Sequence, residues 1–312
     1  MIIFTGLFFL WLGTHWLITG AIAFGDRLQW SPTFVGLAVL AVGTDLPEIF
    51  VSVKAALLQR QGIESSGIIT GNAIGSSISQ ITIILGVAAL FMNFTLPKKD
   101  VLTNSLFLLG SILILLLQGW DGNITRWEGV VLLITYVIYY LVIVKQSAVD
   151  HSSPSAEQKI SWLKIFTLMS GGFILLIGSA HFVVENALLL AQQWGVAQSF
   201  VGIFLVGLGT SLPELAVSVN AALRKSAGLS VGNIIGSNVL DTTMPIGLGG
   251  VISTTRMDRN LLIFDLPLLF FVSLLTILLL NGKRGITRIE GALLVLTYVG
   301  YILIKSLYFE NI

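Results

Sequence analysis

The chain has 312 residues, 55% of them hydrophobic and 11% charged, with a mean hydropathy of +0.92 and a formal net charge of +1. About a quarter of a soluble domain is charged, so this composition belongs to a polytopic membrane protein, and the near-neutral balance argues against nucleic acid as a partner. Cysteine is absent, which excludes disulfides, thiolate metal sites and cysteine nucleophiles.

Residues 1–24 lack a basic leader and a small-residue cleavage signal, so they read as a retained first helix. Stretches apolar and long enough to span a bilayer follow at 2–24, 33–58, 67–92, 101–118, 125–145, 162–191, 199–223, 229–252, 260–280 and 287–308. Breaks between them carry turn punctuation, such as Trp30-Ser31-Pro32 and Asn281-Gly282-Lys283-Arg284. Trp11, Trp30, Trp120, Trp162 and Trp194 mark segment ends as an interfacial belt. One long polar connector, residues 146–161, falls at the midpoint and reads as a linker between residues 1–145 and 162–312.

The halves repeat each other. Residues 34–58 match 200–224 at 14 of 25 positions without a gap. Gly71-Asn72 returns as Gly232-Asn233, and Ile124-Thr125-Arg126-Trp127-Glu128-Gly129 returns as Ile286-Thr287-Arg288-Ile289-Glu290-Gly291. Five crossings per copy is an odd number, which places the copies in opposite orientations, an arrangement common among secondary transporters. The expected fold is therefore an all-α polytopic membrane protein of ten helices in two inverted five-helix repeats. Loops after the odd-numbered segments hold eleven Lys and Arg against six on the other side. By the positive-inside rule both termini face outward and the linker is cytoplasmic, in a cell or inner membrane.

The chemistry sits in Gly43-Thr44-Asp45-Leu46-Pro47-Glu48 and its copy Gly209-Thr210-Ser211-Leu212-Pro213-Glu214. Carboxylates in hydrocarbon are costly and mark function. Each proline denies an N–H to the carbonyl four residues earlier, and helix breaks at matching positions of two halves point to a transporter's binding site. Thr44 and Asp45 share a helix face with Glu48, as Thr210 and Ser211 do with Glu214. Carbonyls near Ala41 and Gly207 can complete a ring of oxygens. The third and eighth segments add a polar stripe of Gly75-Ser76-Ser77 and Gln80, then Gly236-Ser237-Asn238 and Asp241, with Ser76/Gln80 and Ser237/Asp241 spaced to point the same way. Asp45, Glu48, Glu214 and Asp241 with hydroxyls and amides form an oxygen-only cage, which suits Na⁺, Ca²⁺, Mg²⁺ or Mn²⁺. Four acids at close quarters do not all stay ionised while the cage is empty, which admits a proton as one exchanged ion.

The paired Gly-Thr-x-Leu-Pro-Glu and Gly-Asn-x-x-Gly-Ser motifs resemble the alpha-repeats of the cation/calcium exchanger superfamily, nearest to prokaryotic Na⁺/Ca²⁺ exchangers. These repeats fall at about 33–92 and 199–252. The resemblance implies antiport of Na⁺ against Ca²⁺ by alternating access, with the first and sixth helices moving against the rest. It implies central ligands at Glu48 and Glu214, with Thr44, Thr210, Ser211, Ser76, Ser237, Asp241 and the carbonyls of Ala41 and Gly207 at further ligand positions. Two stretches depart from the family pattern, the second with Ser77 as well as Gln80 where asparagine is usual. Asp45 stands where serine is usual and adds a charge. Gln80 stands where asparagine is usual and adds a methylene.

Several side chains admit a second reading. Asp45 is a ligand or proton site, or a satisfied structural acid. Gln80 is a ligand or an amide bridging helices. His15 and His181 read better as helix–helix bonding residues than as proton relays, and Glu185 as an interfacial or structural acid. Arg126/Glu128 and Arg288/Glu290 read as interface anchors or local ion pairs. An H⁺-coupled exchanger of Ca²⁺, Mg²⁺ or Mn²⁺ is the alternative within the class, and a channel is a weaker one because a single midplane site between inverted repeats favours alternating access. No Ser-His or Cys-His pairing supports an enzyme. No cofactor is expected beyond the transported Ca²⁺, Na⁺ or proton; the expected partners are inorganic cations and lipid, with the chain acting as a monomer.

Overall fold

The computed structural model of the chain describes residues 2–147, 160–193 and 211–308. Each of the ten apolar segments carries a described helix. In chain order these are α1 (Ile2–Leu28), α2 (Pro32–Thr44), α3 (Leu46–Arg60), α4 (Ser66–Phe91), α5 (Lys98–Gln118), α6 (Arg126–Ser147), α7 (Trp162–Gln193), α8 (Leu212–Leu223), α9 (Ala227–Asp241), α10 (Met244–Ile252), α11 (Leu266–Asn281) and α12 (Arg288–Tyr308). Among the described residues seven helices are long and apolar enough to cross a bilayer, and α2 with α3, bent by 42°, makes an eighth span. Two short strands, β1 (Asn123–Ile124) and β2 (Thr255–Arg256), close the set.

The breaks have local causes. Asp45, at φ −83° and ψ 0°, ends α2, and Pro47 then sits in the first turn of α3, where a missing N–H is harmless. Pro213 occupies the same place in α8. Thr242 and Thr243 separate α9 from α10, which begins with Pro245 in its first turn. Wide π turns lie at Gly36–Leu40, Gln80–Ile84 and Leu261–Asp265. Periodicity does not show them, and such turns gather at functional positions in helices.

The two halves interlock by paired contacts. A Cβ added at Gly86 of α4 would lie 2.6 Å from the Gly291 carbonyl of α12, and one at Gly129 of α6 would lie 2.6 Å from the Gly247 carbonyl of α10. In chain register these are the same contact made twice, each time between the two halves. The strand ends repeat the relation: Ile124 pairs with Thr255, and Phe94 bridges Ile286. Glycine is needed at these crossings because only its bare backbone lets the helices approach so closely.

Helices α1 and α7 pack on each other through Gly13 and Gly172, whose added Cβ atoms would meet the Leu176 and Leu17 amides at 2.7 and 2.5 Å. Their buried residues form a smaller apolar cluster with Val35, Leu40, Val217 and Leu229, apart from the main core of α4, α5, α6, α9, α11 and α12. One polar clamp ties α1 to the site helices. Arg224, just after α8, donates to the His15 carbonyl at 3.0 Å and to Thr19 Oγ1 at 3.0 Å, with Nη2 2.8 Å from His15 Nδ1. His15 is thus a helix–helix bonding residue.

Glu128 and Glu290 have a role other than the ion pairs expected of them. Glu128 Oε2 accepts from the Thr125 amide and hydroxyl at 2.7 Å, and Glu290 accepts from the Thr287 amide at 3.0 Å and from its hydroxyl. Both are capping boxes that satisfy the free amides opening α6 and α12. The Thr-x-x-Glu spacing was the signal for them.

Candidate cation site

Glu48 and Glu214 occupy the first turns of the half helices α3 and α8. Helix starts carry partial positive charge and free N–H groups, so each break supplies some of the compensation a buried acid needs. Asp45 sits at the break itself. Carboxylate oxygens of Asp45, Glu48 and Glu214 all lie within 4.8 Å of one another, and all three side chains are fully buried. Asp45 and Glu48 come from the first repeat and Glu214 from the second, so both repeats meet at this point.

Among the described residues no protein donor satisfies the oxygens of Asp45 and Glu214, and Asp241 Oδ1 and Ser237 Oγ are likewise buried without a partner. Two like charges about 5 Å apart repel by ~3 kcal/mol at an effective dielectric near 20. Buried oxygens of this kind are rare in folded proteins unless a cation, a proton or water completes them. The arrangement can hold a hard cation between carboxylates supplied by both halves.

The remaining expected residues take different positions. Thr44 is buried and donates to the Leu40 carbonyl at 3.1 Å, so its oxygen keeps an acceptor side. The Ala41 carbonyl accepts the Asp45 amide at 3.0 Å and is therefore partly engaged by the helix. Ser76 and Ser211 are buried, and Ser79 Oγ donates to Ser211 Oγ at 3.3 Å, a link between α4 and the start of α8 that was not singled out. Gln80 bonds to Asp241 and Asn238. Gly207 and Thr210 lie outside the described residues, as do the side chain of Glu185 and much of the linker.

A fifth buried acid, Asp265, escaped notice in the sequence. Tyr301 donates to its Oδ1 at 2.6 Å and Lys305 at 2.9 Å. Asp265 lies inside the apolar stretch 260–280, and only α12, 36 and 40 residues later, brings its partners.

The fold and the site define a class: a multi-pass membrane protein of two inverted repeats with a buried carboxylate cluster where the repeats meet. The chain belongs to the sodium/calcium exchanger protein family, which it matches over residues 1–145 and 164–307. An uncharacterized membrane protein of Methanocaldococcus jannaschii is 32% identical over 299 residues, covering 94% of this chain and 93% of that one. The sodium/calcium exchanger MaX1 of Methanosarcina acetivorans is 25% identical over 353 residues, covering 97% of each. Among solved structures, the sodium-calcium exchanger NCX_Mj soaked with Na⁺ and Ca²⁺ superposes with a TM-score of 0.82 at 31% identity, covering 97% of this chain and 96% of that one.

Proposed function

We propose that the protein is a secondary antiporter exchanging Na⁺ for Ca²⁺ by alternating access. The observation that carries this reading is the cluster of Asp45, Glu48 and Glu214, with oxygens within 4.8 Å of one another in a buried site. One Ca²⁺ or several Na⁺ would neutralise the same carboxylates, so the two loads compete and do not travel together. A neutralised cluster lowers the barrier to moving between faces of the membrane, while an empty one resists it. Thr44, Ser76, Ser211, Ser237 and Asp241, with the Ala41 carbonyl, would supply further oxygens, and Gly207 and Thr210 match them in the other repeat. The pair α1 and α7, which shares its own apolar cluster, would be the part that moves. Both termini would face outward in this reading.

A proton-coupled exchange of Ca²⁺ or another divalent ion is the second reading. The closeness of the Asp45 and Glu214 carboxyls, with oxygens within 4.8 Å, supports it, because a proton taken up by one of them relieves the repulsion.

The test is ⁴⁵Ca²⁺ uptake into proteoliposomes loaded with Na⁺, and separately with K⁺ under an imposed pH gradient. Uptake driven by the Na⁺ gradient and abolished by Glu214→Gln is expected. Uptake driven by the pH gradient alone, and lost in Asp45→Ser, would replace the first reading with the second.

A further inference from the structure

We propose that Gln80 is a positioning residue that holds Asp241 so that one carboxylate oxygen is kept for the cation, and that it is not itself a ligand. This rests on the site assigned above, and it turns on how the two ends of one amide are used. Gln80 is fully buried where α4 widens into its π turn. Its Nε2 donates to Asp241 Oδ2 at 3.0 Å, and its Oε1 accepts from Asn238 Nδ2 at 3.0 Å.

The direction of this chain is set by its neighbours. Asn238 Nδ2 also donates to the Ile234 carbonyl at 2.9 Å, one turn back in α9, so the nitrogen of Asn238 faces Gln80 and not its oxygen. Only one orientation of the Gln80 amide then satisfies both contacts: oxygen toward Asn238, nitrogen toward Asp241. The Gln80 oxygen is the atom a cation would need, and Asn238 already takes one of its two acceptor positions.

Asp241 gains what Gln80 gives up. With Oδ2 held, Oδ1 remains buried and without a protein partner. The carboxyl is otherwise free to turn about its terminal torsion, which is broad for this side chain. Fixing one oxygen through a neighbour from the opposite repeat converts a rotatable acid into an oriented one, as outer partners of metal ligands commonly do. The extra methylene of glutamine, relative to asparagine, is the reach this bridge uses.

The experiment measures cation binding and not transport, using ⁴⁵Ca²⁺ binding and Na⁺ competition on the purified full chain in detergent. Gln80→Met, close in length and shape, is expected to weaken Ca²⁺ binding about tenfold while lowering the cation-free melting temperature by no more than the loss of one buried hydrogen bond. In an Asp241→Ala background the same change should shift binding by less than about twofold, because there is no carboxylate left to orient. Where that background binds too weakly to read, Gln80→Asn combined with Asp241→Glu moves the methylene from one partner to the other. Recovery relative to Gln80→Asn alone is expected. A full loss from Gln80→Met on top of Asp241→Ala, or no recovery in the exchanged pair, would make Gln80 a ligand in its own right. Wild-type binding unchanged by Gln80→Met would reduce the residue to packing. A protein that binds Ca²⁺ normally yet shows no Na⁺-driven uptake overturns the proposed exchange and leaves this test standing.

Discussion

Gly86 and Gly291 meet so closely that the Gly291 carbonyl occupies the space a Cβ on Gly86 would take. Gly129 and Gly247 make the counterpart contact, again between the two halves. The clash in each case is with backbone, which cannot swing aside as a flexible side chain can.

Gly86→Ala and Gly129→Ala should therefore each destabilise the protein by about 1–3 kcal/mol, the usual range for overpacking, and by similar amounts because each added Cβ meets a carbonyl at 2.6 Å. Gly110 of α5, with nothing within 4 Å of an added Cβ, is the control. Gly110→Ala should be neutral or stabilise by up to about 1 kcal/mol through helix propensity. Thermal unfolding followed by detergent size-exclusion chromatography reads all three. A harmless Gly86→Ala beside a damaging Gly110→Ala would show that the interlock is looser than described.

The carboxylate cluster predicts a trade between stability and function. Asp45 and Glu214 are buried close together without protein donors, so removing either carboxylate relieves at most ~3 kcal/mol of repulsion at an effective dielectric near 20, and less where the empty site already holds a proton. Asp45→Asn and Glu214→Gln should raise the cation-free melting temperature and shrink the further rise that Ca²⁺ produces in the wild type. Function sites commonly carry such strain. Cation-free variants that melt below the wild type would mean that the acids are satisfied in some other way.

The pair Asp265 and Lys305 predicts a rescue. The first half places Asn104 against Tyr139 at 3.3 Å where the second half places Asp265 against Tyr301, and Ile143 stands where Lys305 does. Lys305→Ile alone leaves a buried carboxylate without its cation and should cost about 3 kcal/mol, near the lower end for broken buried pairs because Lys305 is 26% exposed. Asp265→Asn with Lys305→Ile copies the first half and should recover most of the loss. Chemical unfolding of the three proteins decides it. If the double variant is as damaged as Lys305→Ile, the charge pair serves something more than local packing.

Much of this protein was legible without a structure, and the reasons are physical. Lipid admits only backbones whose polar groups are satisfied internally, so long apolar runs became helices. Charge in that setting is so costly that Glu48, Glu214, Asp45 and Asp241 stood out as functional, and the duplicated motif and odd repeat length carried the inverted arrangement. Those signals are local or periodic along the chain. Gln80 shows where they stop. Its type and helix face favoured a ligand over a bridging amide, while its actual partners, Asn238 and Asp241, lie 158 and 161 residues away in the opposite repeat. Asp265 stood in an apolar stretch too, but what pairs with it was hidden for the same reason, since its partners lie on another helix. The π turns that swing Gln80 and Asp265 out of ordinary helix register leave no mark in composition. Which polar atoms remain open to a cation is decided only when the two halves close on each other, because a hydrogen bond depends on distances of a few tenths of an ångström that spacing along a chain does not encode.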